Sequence, residues 1–318
     1  MQVKFFCPRP ILQTITIFQG WAVSRHVRFS HWLGVLAMLA LTGMPAYAVT
    51  FSAPMDNSVW RLEASVFECR LSHAIPNYGE AVFSHRAGER VSFYLDSWHR
   101  PMRKGRAEMT SEPPPWRIGA AVQELGSVPV SGGRQAVALQ GPLPSSMLAQ
   151  LYGGMQPTLH RLAWYDSKQP VAVELSPVNF QPVYQQYVGC LSQLLPVNFD
   201  QIQRSTVLFD TGKSQLRDDA LETLTNIVIY VKADPTVSTI YIDGHTDNRG
   251  RRLANRELSK ERAEAVRDYL QKRGLPTDMI LLRFHGERYP VASNSTATNR
   301  ARNRRVTIRL DKEESFDS

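Results

Sequence analysis

Cysteine is scarce in this 318-residue chain, which holds only Cys7, Cys69 and Cys190. That excludes a disulfide-dense miniprotein and a four-thiolate zinc site. Long apolar runs are missing too. The longest strongly apolar stretch, residues 32–41, is far shorter than the roughly 20 residues a helix needs to cross a bilayer, so a polytopic helical membrane protein is excluded. No nucleophile elbow occurs, and no His/Cys/Asp set has the local spacing of a zinc centre. Ser72-His73, His245 with Asp247, and the scattered His85, His99 and His160 therefore read as non-catalytic, and no cofactor or metal is implied.

Acidic residues are absent from the first 48 positions, where Lys4, Arg9, Arg25 and Arg28 are the charges. Arg25 and Arg28 precede the apolar run, and Ala46-Tyr47-Ala48 closes it, the order of a secretory signal peptide cleaved after Ala48. Residues 1–22 exceed what such a leader needs and suggest an over-extended start, with Val23 or Val27 read as an alternative initiator. The formal charge of +8 then falls to +4, from 33 basic against 29 acidic residues. Export and modest charge together argue against nucleic acid. No cysteine stands at the cleavage point, so a lipid anchor is not indicated, and the exported chain is expected to be soluble.

With 43% hydrophobic and 9% aromatic residues the chain can build real cores, and its length favours two domains. Residues 49–178 read as short strands broken by Gly79, Gly88, the three prolines 113–115 and Gly132-Gly133, a mainly antiparallel β region with a short helix over 145–152. Trp60, Trp98, Trp116 and Trp164 are expected to build its core rather than a glycan platform. Tyr184, Tyr187, Val188, Leu191 and Leu195 give helical spacing over 182–195. Cys69 and Cys190 remain after export. An even pair in an exported chain reads as a disulfide, whose closed loop of about 120 residues stabilises by roughly 4 kcal/mol in the chain-entropy model; two buried thiols are the alternative.

Residues 204–310 alternate strand and helix as βαβαβ with a closing strand, an α/β sandwich with helices on one face. The expected class is α+β, with a β-rich domain over 49–195, the α/β domain over 196–312 and a polar tail over 313–318. Between its second strand and second helix lie Gly244-His245-Thr246-Asp247, then Asn255, Leu258, Ser259 and Arg262. An unbonded carboxylate beside a guanidinium fork suits a zwitterion, Asp247 taking an ammonium and Arg262 a carboxylate. A plain loop-to-helix salt bridge is the alternative, and His245 reads as a packed residue shaping the loop.

Phe209-Asp210-Thr211-Gly212, the Gly244–Asp247 loop, Asn255-x-x-Leu258-Ser259-x-x-Arg262 and Asn303-Arg304-Arg305-Val306 resemble the OmpA-like peptidoglycan-binding family. The resemblance implies a pocket for the free end of diaminopimelate in the wall's stem peptide. Asp247 and Arg262 would be its main ligands; Asp210, Thr246, Asn255, Leu258, Asn303 and Arg304 match supporting positions. Asp210 reads equally as a residue satisfying turn amides, and the arginines after Asn303 as solvated edge charge. Asn299 departs from the glycine frequent in the family.

Residues 69–83, Cys69-Arg70-Leu71-Ser72-His73 through Val82-Phe83, followed by Arg86-Ala87-Gly88-Glu89, resemble the N-terminal domain of the MotY family, whose cysteine pair Cys69 and Cys190 match. This resemblance implies a non-enzymatic periplasmic component of the flagellar motor's T ring. Its β domain would dock to the basal body and to stator-associated partners such as MotX or the stator complex, while its C-terminal domain grips the wall. A general envelope protein anchoring another complex to peptidoglycan is the alternative.

Overall fold

The computed structural model describes residues 48–313. The expected leader, Ala48 apart, and residues 314–318 of the expected tail lie outside the described residues.

The first half contains β1 (Val49–Phe51), β2 (Trp60–Ala64), β3 (Glu68–Ile75), β4 (Gly79–Arg86), β5 (Ser92–Ser97), β6 (Gly105–Glu112), β7 (Gln123–Val130) and β8 (Gln135–Leu139). Helix α1 (Pro142–Tyr152), β9 (Gln156–Leu162), β10 (Pro170–Glu174) and helix α2 (Phe180–Leu191) complete it. The strands form two five-stranded sheets, β1-β10-β9-β6-β7 and β2-β3-β4-β5-β8. All their pairings are antiparallel except β1 with β10.

Period-two alternation explains why these segments pair and face as they do. In β5, Phe93, Leu95 and Ser97 are buried while Ser92, Tyr94 and Asp96 are half-buried. Inward residues of both sheets, among them Leu71, Phe83, Met109, Leu159 and Val173, fill one core. Of the four tryptophans expected there, only Trp60 enters it. Trp98, Trp116 and Trp164 stand on connecting loops and are exposed. Helix α2 starts two residues before the expected position and stops at Leu191, because Ser192 and Gln193 leave the helix as a turn ahead of Pro196.

The second half runs α3 (Phe199–Ile202), β11 (Arg204–Leu208), α4 (Asp218–Ala233), β12 (Val237–His245), α5 (Arg252–Lys272), β13 (Ile280–Gly286), α6 (Ala297–Asn303) and β14 (Arg305–Lys312). Its sheet has the order β11-β14-β12-β13, parallel only between β12 and β13. Leu224, Ile227 and Val231 of α4 and Val266 and Leu270 of α5 pack on Ile240, Ile242, Val306 and Ile308 of the sheet. The class is α+β. Short helix α6 lies outside the expected βαβαβ pattern, being too brief for a legible apolar stripe.

A Cys69–Cys190 disulfide ties α2 to the start of β3. Beside it, Phe67 leaves the first half to pack in the second core, its ring 5.4 Å from that of Tyr230. Polar contacts surround this plug. Arg86 reaches Asp200 at 2.6 Å, and the Asn198 side-chain amide donates to the Ala87 carbonyl at 3.0 Å and to Glu89 at 2.6 Å. Gly88 has φ +70°, and a Cβ there would lie 2.7 Å from the Pro196 carbonyl oxygen, so both conformation and space demand glycine.

Candidate functional site

The site forms where β12 hands over to α5. A Cβ on Gly244 would stand 2.0 Å from the Ser259 carbonyl oxygen, so only glycine lets the helix lie this close to the strand. Consequently the first half of the core-facing stripe of α5 is polar, Asn255, Ser259 and Arg262, whereas the second half is apolar, Ala263, Val266 and Leu270. Each polar member has a defined task. The Ser259 hydroxyl accepts from the Gly286 amide at 3.0 Å and donates to the Arg256 carbonyl at 2.7 Å. The Asn255 amide donates to the Asp247 carbonyl at 3.3 Å and to Glu287 at 2.6 Å. With the Thr246 amide bonded to the Gly286 carbonyl at 2.9 Å, the loop is held from both sides.

Asp247 is 5% exposed. One carboxylate oxygen accepts from the Arg249 amide at 3.0 Å, an Asx turn, and the other from an Arg304 Nη1 at 3.1 Å. Arg304 is itself aimed by its Nε, which donates to the Phe209 carbonyl at 3.1 Å. The direct ion partner of Asp247 is therefore Arg304.

Arg262 is 0% exposed and its fork is spent on backbone. Nε donates to the Lys213 carbonyl at 2.9 Å, Nη1 to that of His245 at 3.0 Å and Nη2 to that of Asp210 at 3.0 Å, with the Phe209 ring centroid 5.3 Å from the guanidinium carbon. It clamps the loop after β11 to the end of β12. Burial first, and then the neighbouring Arg304 charge, push its pKa down to about 10, which leaves it cationic at neutral pH. Arg262 and Arg304 thus both lie near Asp247, but only Arg304 bonds to its carboxylate.

The other candidate residues divide. Thr246 is buried beside Asp247, and its hydroxyl has no partner among the described residues. Asn303 is fully buried but satisfied, accepting from the Val291 and Ala292 amides at 2.9 and 3.1 Å and donating to the Ala292 carbonyl and Asn294. It staples the segment before α6. Leu258 is half-buried. Asp210 lends its carbonyl to Arg262, while its exposed carboxylate lies 3.5 Å from Lys213. Phe209, Asp210, Asp247, Arg262 and Arg304 come together; Asn303 and Leu258 support from outside. Sequence reasoning missed Glu287 and the bonding role of Ser259, whose only signal is a polar stretch in the buried stripe of a helix.

His245 is buried, its ring stacked 5.0 Å from that of His285. Burial, with Arg305 and His285 nearby, pushes its pKa down to about 4, so it packs as a neutral ring.

Four-stranded sheet, helices on one face and this strand-to-helix loop define an OmpA-type domain, and the model of the OmpA family matches residues 208–304. The MotY N-terminal domain model matches residues 51–196. The chain belongs to the MotY family: it is 30% identical over 279 residues to the sodium-type flagellar protein MotY of Vibrio parahaemolyticus, covering 86% of this chain and 95% of that protein. The peptidoglycan-associated lipoprotein of Brucella melitensis is 37% identical over 105 residues, 33% of this chain and 62% of that protein. The crystal structure of the peptidoglycan-associated lipoprotein from Burkholderia pseudomallei covers 33% of this chain and 89% of that one, with 31% identity and a TM-score of 0.32. Among the described residues, no helix is long and apolar enough to cross a membrane.

Proposed function

We propose that this chain is a non-enzymatic periplasmic tether of the flagellar motor, gripping peptidoglycan through residues 196–312 and the basal body and stator partners through residues 49–195. The wall-binding reading rests on one observation above all. A buried hydroxyl without a partner among the described residues, Thr246, adjoins a carboxylate paired with Arg304. An orphaned buried hydroxyl costs free energy that a ligand group can recover. The Arg304 guanidinium suits a ligand carboxylate, and Asp247 suits an ammonium on the same ligand, the combination on the free end of diaminopimelate. Arg304 is the guanidinium nearer the surface, its side chain 15% exposed, and is placed to take that carboxylate while Arg262 holds the floor.

Co-sedimentation with isolated peptidoglycan sacculi tests the site through Thr246→Val. This change keeps shape and removes a hydroxyl that makes no bond among the described residues. Stability should hold or rise, by about 1 kcal/mol at most, while wall affinity falls about five- to tenfold. Asp247→Asn, checked for folding by circular dichroism, should abolish pelleting. Undiminished pelleting of both folded variants would place wall binding elsewhere.

A further inference from the structure

Trp98, Trp164 and Tyr165 are 60%, 66% and 56% exposed, an unusual display for side chains this large. They stand on two loops of the first half that the backbone joins. The Trp164 amide donates to the Pro101 carbonyl at 3.1 Å, the Arg103 amide to that of Leu162 at 2.9 Å, and Met102 bridges Ala163 between them. The footing is rigid: Pro101, Met102 and Ala163 are buried. The turn bearing Trp98 is fixed by its amide on the buried Tyr78 carbonyl at 2.9 Å and by the Arg100 amide on Ser97 Oγ at 2.9 Å. Trp164 and Tyr165 meet edge to face at 5.8 Å.

Charge on these loops is one-sided. Arg100, Arg103, Lys104, Arg161 and Lys168 face a single carboxylate, Asp166. Arg161 is pinned on the Arg103 and Lys104 carbonyls at 3.0 and 2.9 Å, which holds its charge at the rim. Exposed Trp and Tyr on loops that also carry arginine match the composition of energetic centres in protein interfaces.

We propose that this patch is where the chain docks an acidic protein face on the flagellar basal body, the tryptophans filling apolar pockets and the basic rim meeting carboxylates. The inference rests on the basal-body reading of residues 49–195. A protein partner is favoured over an anionic lipid surface because Asp166 follows Tyr165 directly and would be driven against the headgroups. On a protein it can meet a cation.

The test uses basal bodies isolated from cells lacking this chain, mixed with the purified exported protein and sedimented. Trp98→Ala/Trp164→Ala and Arg100→Glu/Arg103→Glu should each weaken association about thirtyfold, with pelleting on sacculi and the urea midpoint unchanged. Raising salt should loosen the wild type. Equal binding by wild type and variants would overturn this surface and leave the basal-body reading intact. Failure of the wild type itself would overturn both. Variants that keep basal-body binding but lose flotation with phosphatidylglycerol vesicles, or lose self-association in sedimentation velocity, would reassign the patch to a membrane or to a second copy.

Discussion

Arg262→Lys tests how the site is held together. The arginine makes three charge-assisted bonds to the carbonyls of Lys213, His245 and Asp210 from a position with no solvent access. A lysine ammonium can reach one of these acceptors and leaves two carbonyls, buried or part-buried, without their donor. At about 1–3 kcal/mol for each unsatisfied group, the loss is about 2–6 kcal/mol, a large share of the roughly 5–15 kcal/mol that ordinarily separates folded from unfolded. With a urea slope of about 2 kcal/mol per molar, the midpoint should fall by about 1–3 M. Chemical unfolding followed by circular dichroism reads this directly, with amide exchange at Thr246 and Lys213 reporting whether the two loops come apart. An unchanged midpoint with an unchanged slope would refute the clamp. The same arithmetic warns that lost wall binding in an Arg262 variant does not by itself show that Arg262 touches the wall.

Three further outcomes are expected. His73 is buried between Trp60 and the backbone: Nδ1 faces the Val59 carbonyl at 3.0 Å and must donate, and Nε2 accepts from the Ser176 amide at 3.4 Å, so the ring is neutral and its pKa is pushed down by burial to about 4. Because the unfolded chain takes a proton near pH 6.5 that the folded one refuses, stability should be full above that pH and decline by about 3 kcal/mol as pH falls to 4, His245 adding in the same direction; a His73→Gln variant whose stability falls as steeply would refute this. Removing the disulfide by Cys69→Ser/Cys190→Ser frees a loop with a sequence separation of 121 and should cost about 4–5 kcal/mol in the chain-entropy model, read as a lower thermal midpoint under oxidising conditions; an equal midpoint would mean the native contacts alone hold the junction. Phe67→Ala empties the plug between the two cores, costs about 2 kcal/mol and should split one calorimetric transition into two, whereas a single sharp transition would show that the polar contacts of Arg86 and Asn198 suffice.

Much of the fold was legible because burial here follows simple periods. Leu224, Val228 and Val231 recur at helical spacing in α4, and residues alternate in β5 and β12. The loop after β12 was legible too, since glycine, a short polar run and a helix start leave a local signature. What escaped is non-local. Nothing about Arg262 in isolation says that its fork ends on three carbonyls from two separate segments, nor that Arg304 is the partner of Asp247, 57 residues before it. Average aromatic usage sent Trp98, Trp116 and Trp164 inward, yet each stands on a connecting loop and is exposed.

The disulfide has a mechanical meaning besides its thermodynamic one. Cys69 and Cys190 close a covalent ring that contains the Trp98 and Trp164 loops, while everything beyond Cys190 lies outside it. Pull on those loops against the C-terminal domain and the tension reaches Cys190 along two chains in parallel, one forward through the strands and one backward through Cys69 and across the sulfur bridge. Either can slacken without parting the connection. A ring of this kind behaves like a shackle, sharing load between two arms and limiting how far the first half can extend to the length of its shorter arm.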